Sequence, residues 1–253
     1  MMRLVERILG PILILAVLLA AWEAHVRYYD TPAWFLPAPS RIVRVLIDDR
    51  GLLAHHARIT LQEVLAGFAV ALILGLLLAI LIHASPLLER SLYPLVIATQ
   101  AVPLIALAPL LLVWFGYGPA PKIIVTALIA FFPITVGAVD GLRSADRETL
   151  EMLRALGAGR VRRFLMVTWP SALPGIFSGA RIGVSVAVIG AVFGEYVGAD
   201  SGLGYLINIS AARLHADRVF ACIAILAAMS IALFLIVAAV EHRVLRWRQY
   251  TTA

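Results

Sequence analysis

The sequence predicts an all-α integral membrane protein, a single domain of six transmembrane helices with a polar, helical loop between the fourth and the fifth. Two observations carry this. Hydrophobic residues make up 62% of the 253 and charged residues only 14%, with mean hydropathy +0.95; soluble domains have about 25% charged residues. The apolar residues also fall into runs near the length of about 20 that crosses a bilayer. These runs recur evenly with no linker between them, so one domain is expected where length alone allows two.

Met1 to Arg7 is short and basic, and Ile8 to Trp22 is almost purely apolar. With its flanks this gives a first span over about 8–27, uncleaved, although Ala20-Ala21 has the small residues of a signal-peptide cleavage site. Tyr28 to Arg58 reads as a polar connection stiffened by Pro32, Pro37 and Pro39. Within it, Ser40 is placed to cap an amphipathic interfacial helix from Arg41 to Asp49. The second span covers about 61–82, where Ala71, Gly75 and Ala79 form a small-residue face for close packing.

The third span, about 92–115, contains Pro94, Pro103 and Pro109 and one strongly polar side chain, Gln100. Prolines there kink a span and free carbonyls that protein or a cavity must satisfy. The fourth span covers about 123–139. The polar loop of 140–170 follows, with Asp146 placed to cap a helix that Gly157 stops. The fifth span, about 175–194, carries a packing ridge at Gly175, Gly179 and Gly183, continued by Gly190 and Gly194. Glu195 to Asp217 reads as a glycine-rich loop, and the sixth span covers about 219–240.

The net charge of +6 and pI near 10.0 come from twenty arginines and one lysine, many of them beside apolar runs. That placement fits retention of positive charge on one membrane face, not a nucleic-acid surface. Six spans put both termini on one side. That side holds Arg3, Arg7, Arg90, the six arginines from Arg143 to Arg163, Arg243, Arg246 and Arg248. The other holds Arg27, Arg41, Arg44, Arg50, Arg58, Lys122, Arg213 and Arg218. The richer side, with both termini and the 140–170 loop, is expected in the cytoplasm.

No catalytic site or metal site is read from the chain. It has no Gly-x-x-x-x-Gly-Lys-[Ser/Thr] with which to hydrolyse ATP, and Gly202-Leu203-Gly204 lacks the third glycine of a dinucleotide site. His55 and His56 are adjacent, so they do not share a helix face. Cys222 is the single cysteine, which excludes an internal disulfide. Polar groups inside spans are costly and become functional candidates by default. These are Gln100 beside Pro103, Arg181 about 10 Å past Pro174 at 1.5 Å per residue, and Glu195 at the end of the fifth span. Tyr196 and Asn208 are candidates for solute contact. Each has a bland reading beside the functional one: a packing amide, a salt-bridged arginine, a solvated helix-end carboxylate.

The polar loop reads Glu151-Met152-Leu153-Arg154-Ala155-Leu156-Gly157-Ala158 and continues to Val167-Thr168-Trp169-Pro170. This resembles the cytoplasmic loop of ATP-binding-cassette importer permeases, whose pattern is Glu-Ala-Ala, three residues, Gly, nine residues, Ile-x-Leu-Pro. Glu151, Gly157 and Pro170 stand at those spacings; Met152 and Leu153 replace the two alanines, Val167 the isoleucine and Trp169 the leucine. Leu36-Pro37-Ala38-Pro39-Ser40, Gln100-Ala101-Val102-Pro103, Trp114-Phe115-Gly116-Tyr117-Gly118, Gly179-Ala180-Arg181 and Gly194-Glu195 are similar to the nitrate, sulfonate and taurine group of these permeases. Where that group often has Ser-Leu-x-Arg before the second span, this chain has Thr60-Leu61-Gln62-Glu63.

The resemblance implies the type I importer fold and an ATPase-coupling helix involving Glu151, Arg154, Ala155, Gly157, Ala158 and Pro170. It implies a second permease copy, two cytoplasmic ATP-binding subunits that hold ATP-Mg, an external solute-binding protein and residence in the plasma membrane. This chain would carry no cofactor and catalyse no covalent step. By group resemblance the solute is nitrate, a sulfonate such as taurine, or a heteroaromatic vitamin precursor such as a thiamine pyrimidine or riboflavin. A carboxylate at Glu195 near the pathway favours the last set, because it repels small anions. The alternative is an ion-gradient-driven secondary transporter, which normally shows a repeated half; no repeat is evident.

Overall fold

The computed structural model describes residues 2–246, and of residues 2–9, 11, 12, 104 and 105 it describes the backbone alone. Its elements are helical throughout. In order they are α1 (Met2–Tyr28), α2 (Pro39–Asp48), α3 (Arg50–Ala84), α4 (Pro86–Ala98), a 3₁₀ turn (Thr99–Ala101), α5 (Leu104–Phe115) and α6 (Pro119–Arg143). Then come α7 (Arg147–Ala155), α8 (Arg160–Arg163), a π turn (Phe164–Thr168), α9 (Trp169–Gly198), α10 (Leu203–Ala212) and α11 (Ala216–Val244).

Among the described residues four stretches are long and apolar enough to cross a membrane: Arg50–Ala84, Pro119–Arg143, Arg160–Gly198 and Ala216–Val244. Pro86–Ala101 and Ala106–Phe115, bent by 103°, form a broken pair where the sequence predicts one kinked third span over about 92–115. The break falls where Pro103 removes an amide and the residues before it turn extended, with Val102 at ψ 122°. The expected first span, about 8–27, falls within α1, a continuous 27-residue helix with Leu13, Ile14, Leu15, Val17 and Leu18 exposed.

Several boundaries differ from the sequence reading. The helix of the second span begins at Arg50 and absorbs the end of what read as a loop, so its polar first turns stand beyond the apolar core. Ser40 does not cap α2. Pro39 sits in the first turn after an Ala38 cap, and the Ser40 amide and hydroxyl are taken by Glu23 of α1 at 2.9 and 2.8 Å. The 195–217 stretch is not a loop: α9 runs on to Gly198, and α10 buries Leu203 and Leu206 against Leu53, Ala221 and Cys222. Its short apolar rows hide among the glycines that made the stretch read as irregular.

The core is the α6–α9 pair, with α3 packed on α6. Val64, Ala71, Ala130, Ile134, Val184 and Ala187 are all buried in one cluster among these helices. Glycine lets the α6 and α9 backbones meet. A Cβ placed on Gly175 would lie 2.7 Å from the Gly141 Cα, and one on Gly194 would lie 2.9 Å from the Lys122 Cα. Gly179 faces the Pro133 carbonyl and Gly183 the Ile134 side chain. The ridge thus continues along most of α9, including Gly190 against Thr126. At one end, Arg218 to Asp49 (2.8 Å) and Arg41 to Asp217 (2.9 Å) join α11 to the α2–α3 region.

Candidate functional site

Two constellations stand out, at opposite ends of the helical bundle's connections. The first is the exposed α7–α8 segment. Asp146 caps α7 by accepting from the Thr149 amide at 2.9 Å and from its hydroxyl at 2.5 Å. Those two bonds, side chain first, hold the Asp146 carboxyl below the usual aspartate range. Gly157 ends the helix with φ +79°, the left-handed conformation that favours glycine, while Ala158 donates its amide to the Leu153 carbonyl.

No residue of α7 is buried. Glu151, Arg154 and Ala155 are exposed, as are Met152 (56%) and Leu156 (75%), so an apolar edge accompanies the charges. Ala158 is half-buried, and Pro170 lies in the first turn of α9, also half-buried. The chain from α8 into α9 is one near-continuous helix through the π turn, which leads from the foot of α7 to the glycine interface of α9. α7 thus turns Leu150 and Leu153 inward, half-buried, and leaves its charged side and the Met152–Leu156 edge open.

The second constellation is a buried polar cluster where α3, α6, α9 and α10 meet. Lys122 Nζ donates to Glu63 Oε1 at 2.9 Å, with side-chain exposures of 6% and 5%. Glu195, only 1% exposed, accepts the Thr60 hydroxyl on Oε1 at 2.6 Å and the Gly204 amide on Oε2 at 2.5 Å. The Leu203 amide donates to Thr60 Oγ1 at 2.8 Å and the Gly202 amide to His56 Nδ1 at 3.0 Å. Three successive amides at the start of α10 are therefore held by side chains from α3 and α9, which satisfies the free donors of a helix end. Gly202, at φ +108°, makes the turn, and a side chain there would collide with the Glu195 carboxyl.

Glu195 is therefore not solvated at a helix end; its buried carboxyl holds the start of α10. Glu63 finds its cation on the neighbouring helix as Lys122. Sequence reasoning missed Lys122 and His56. Glu63 carried a signal that was available: a carboxylate two residues inside an expected span requires a buried partner.

The remaining candidates do not converge. Arg181 pairs with Glu241 of α11 at 3.2 Å, with its guanidinium 5.8 Å from the Phe234 ring centre. Gln100 and Pro103 are exposed in and after the 3₁₀ turn. Tyr196 is 46% exposed and its carbonyl accepts Asn208 Nδ2 at 3.3 Å. Ile182, Ile189 and Tyr196 form one exposed row on α9, turned away from its glycine face. His55 is exposed and His56 buried, although their rings stay 5.3 Å apart.

Residues 71–246 match the family model described as binding-protein-dependent transport system inner membrane component. The chain is similar to a probable ABC transporter permease protein of Haemophilus influenzae, at 39% identity over 94% of this chain and 97% of that one. It is similar at 39% to the formylaminopyrimidine transport permease protein ThiX of Halalkalibacterium halodurans, over 95% and 96%. The riboflavin transport system permease protein RibX of Chloroflexus aurantiacus is 38% identical, over 94% and 90%. In fold, the chain matches 97% of a chain of the inward-facing MetNI methionine ABC transporter with 76% of its own length, at TM-score 0.62 and 23% identity.

Proposed function

The chain belongs to the family of binding-protein-dependent transport system inner membrane components, and on that premise we propose that two copies of it form the solute pathway of an ATP-driven importer. It is a permease component with the type I importer fold. In the proposed assembly, each copy docks α7 on a separate ATP-binding subunit that holds ATP-Mg and performs the hydrolysis. Both termini and the α7–α8 segment lie in the cytoplasm, and a solute-binding protein delivers cargo on the other side.

The observation that carries this reading is α7 itself: capped at Asp146, stopped at Gly157, with no residue fully buried and Glu151, Met152, Arg154 and Ala155 exposed. Closure of the ATPase pair would draw the two α7 helices together. The near-continuous helix from Arg160 to Gly198 would carry that movement to the α9 row of Ile182, Ile189 and Tyr196, which lines the pathway between copies. The solute biases the cycle only through different affinity for its two states.

For cargo we propose a heteroaromatic vitamin precursor. The charge argument from the sequence does not support it, because the Glu195 carboxylate is buried against Thr60 and Gly204. Support comes from the relatives named for formylaminopyrimidine and riboflavin transport and from Tyr196, an exposed aromatic ring at one end of the α9 row.

Purification from native membranes in mild detergent, comparing wild type with Glu151→Arg, tests the docking role. An ATP-binding subunit retained by wild type and lost from the variant is the expected result. Equal retention by both would remove α7 from the docking surface.

A further inference from the structure

Beneath α7, between the end of α3 and the α8–π turn, lies a cavity of about 430 Å³. Ile80, Leu150 and Phe164 give it apolar walls, and His83, Arg160 and Arg163 supply its polar groups. Among the described residues no carboxylate lines it. Glu89, the acid that acts on His83, is engaged by Arg143 at 2.6 Å.

Neither Arg160 nor Arg163 forms an ion pair among the described residues. One Arg160 Nη donates to the Ala84 carbonyl, the last of α3, which leaves the rest of its guanidinium free. Arg163 is half-buried, and its Nε is buried with no hydrogen-bond partner among the described residues. A buried charged donor left unmatched is costly, so an acceptor belongs beside it. Two guanidinium forks facing one cavity suit the oxygens of a phosphate.

We infer that this cavity binds the phosphate headgroup of an anionic phospholipid from the cytoplasmic leaflet. The apolar walls select a lipid over a soluble anion. Ile80 belongs to the membrane-spanning part of α3, whose exposed Leu77 and Leu81 lead away from the cavity along the path an acyl chain would follow. The cytoplasmic leaflet carries the anionic lipid that basic pockets at helix ends attract. Bound there, the phosphate joins α3 to Arg163, immediately before the π turn that leads into α9, and steadies the segment from which α7 projects. The inference rests on the cytoplasmic placement of α7–α8 proposed above.

Native mass spectrometry of the full chain, purified in phosphatidylglycerol or phosphatidylcholine micelles, reads the bound lipid directly. Wild type should retain phosphatidylglycerol and not phosphatidylcholine. Arg160→Gln/Arg163→Gln should weaken retention by about fivefold per arginine, and Ile80→Trp, which fills the cavity with the charges intact, should also lose the lipid. Arg243→Gln, on the same face but away from the cavity, should behave as wild type, as should the elution profiles of all variants.

Equal retention of both lipids, retention by Ile80→Trp, or equal loss from Arg243→Gln would overturn the site. Displacement by millimolar inorganic phosphate would assign it to a soluble anion instead. Sidedness is read separately by labelling Arg162→Cys with an impermeant maleimide. Labelling in inverted vesicles and not in intact cells is expected, and the reverse would overturn the cytoplasmic placement whatever the lipid result.

Discussion

Lys122 and Glu63 form an ion pair across α6 and α3 at 2.9 Å, each about 5% exposed. Removal of one member leaves the other charge buried, at about 3–5 kcal/mol, whereas apolar replacement of both is often close to neutral. Lys122→Met should therefore lower the thermal midpoint in detergent steeply, and Lys122→Met/Glu63→Leu should recover most of the loss. A double variant no more stable than the single would show that the pair matters for reasons other than charge.

The glycine ridge makes a second expectation. A Cβ on Gly179 meets the Pro133 carbonyl, and the site is enclosed by backbone that cannot yield as a side chain would. Gly179→Ala should destabilise the chain by about 1–3 kcal/mol, the range of overpacking. Gly51→Ala, where nothing lies within 4 Å, is the control and should be neutral or slightly stabilising in thermal unfolding.

Gly157 stops α7 at φ +79° with open space around it. The demand is on the backbone alone. Gly157→Val should cost about 1–2 kcal/mol locally and Gly157→Asn much less, because asparagine tolerates this conformation. Thermal unfolding of the whole chain should change little, while co-purification with the proposed ATP-binding subunit should fall in the valine variant and persist in the asparagine variant.

The Asp146 cap has a definite pH sign. Its carboxyl is held below the usual aspartate value by Thr149. Its contribution is thus fully present above that usual value and is lost as pH falls through the lowered one. Amide exchange at Thr149 should show protection that holds from neutral pH down into the acid range and disappears only at its bottom. Asp146→Ala should lack the protection at every pH.

Much of this was legible in the residues. The α7 cap at Asp146 and the stop at Gly157 follow from local chemistry that needs no tertiary context, and the sequence placed both correctly. The long helices around the second, fourth, fifth and sixth spans follow from apolar run length. What escaped depended on contacts distant in sequence. Ser40 has cap chemistry, but Glu23, 17 residues away, claims its donors. Glu195 reads as a helix-end carboxylate until Thr60 and Gly204 enclose it. α10 stayed hidden because its glycine-flanked start is stabilised by side chains from other helices and not by its own residues. The break in the third span was signalled by its prolines, but its 103° extent was not.

Uptake of solute into vesicles reconstituted with this chain, the proposed ATP-binding subunits and the solute-binding protein tests the central claim most directly. Wild-type uptake should require ATP, ignore a protonophore, and fall at least about tenfold in Glu151→Arg, the equivalent of about 1.4 kcal/mol in the coupled step. Uptake that survives ATP depletion, collapses with the protonophore and is indifferent to Glu151→Arg would contradict coupling through α7 and point to a gradient-driven carrier.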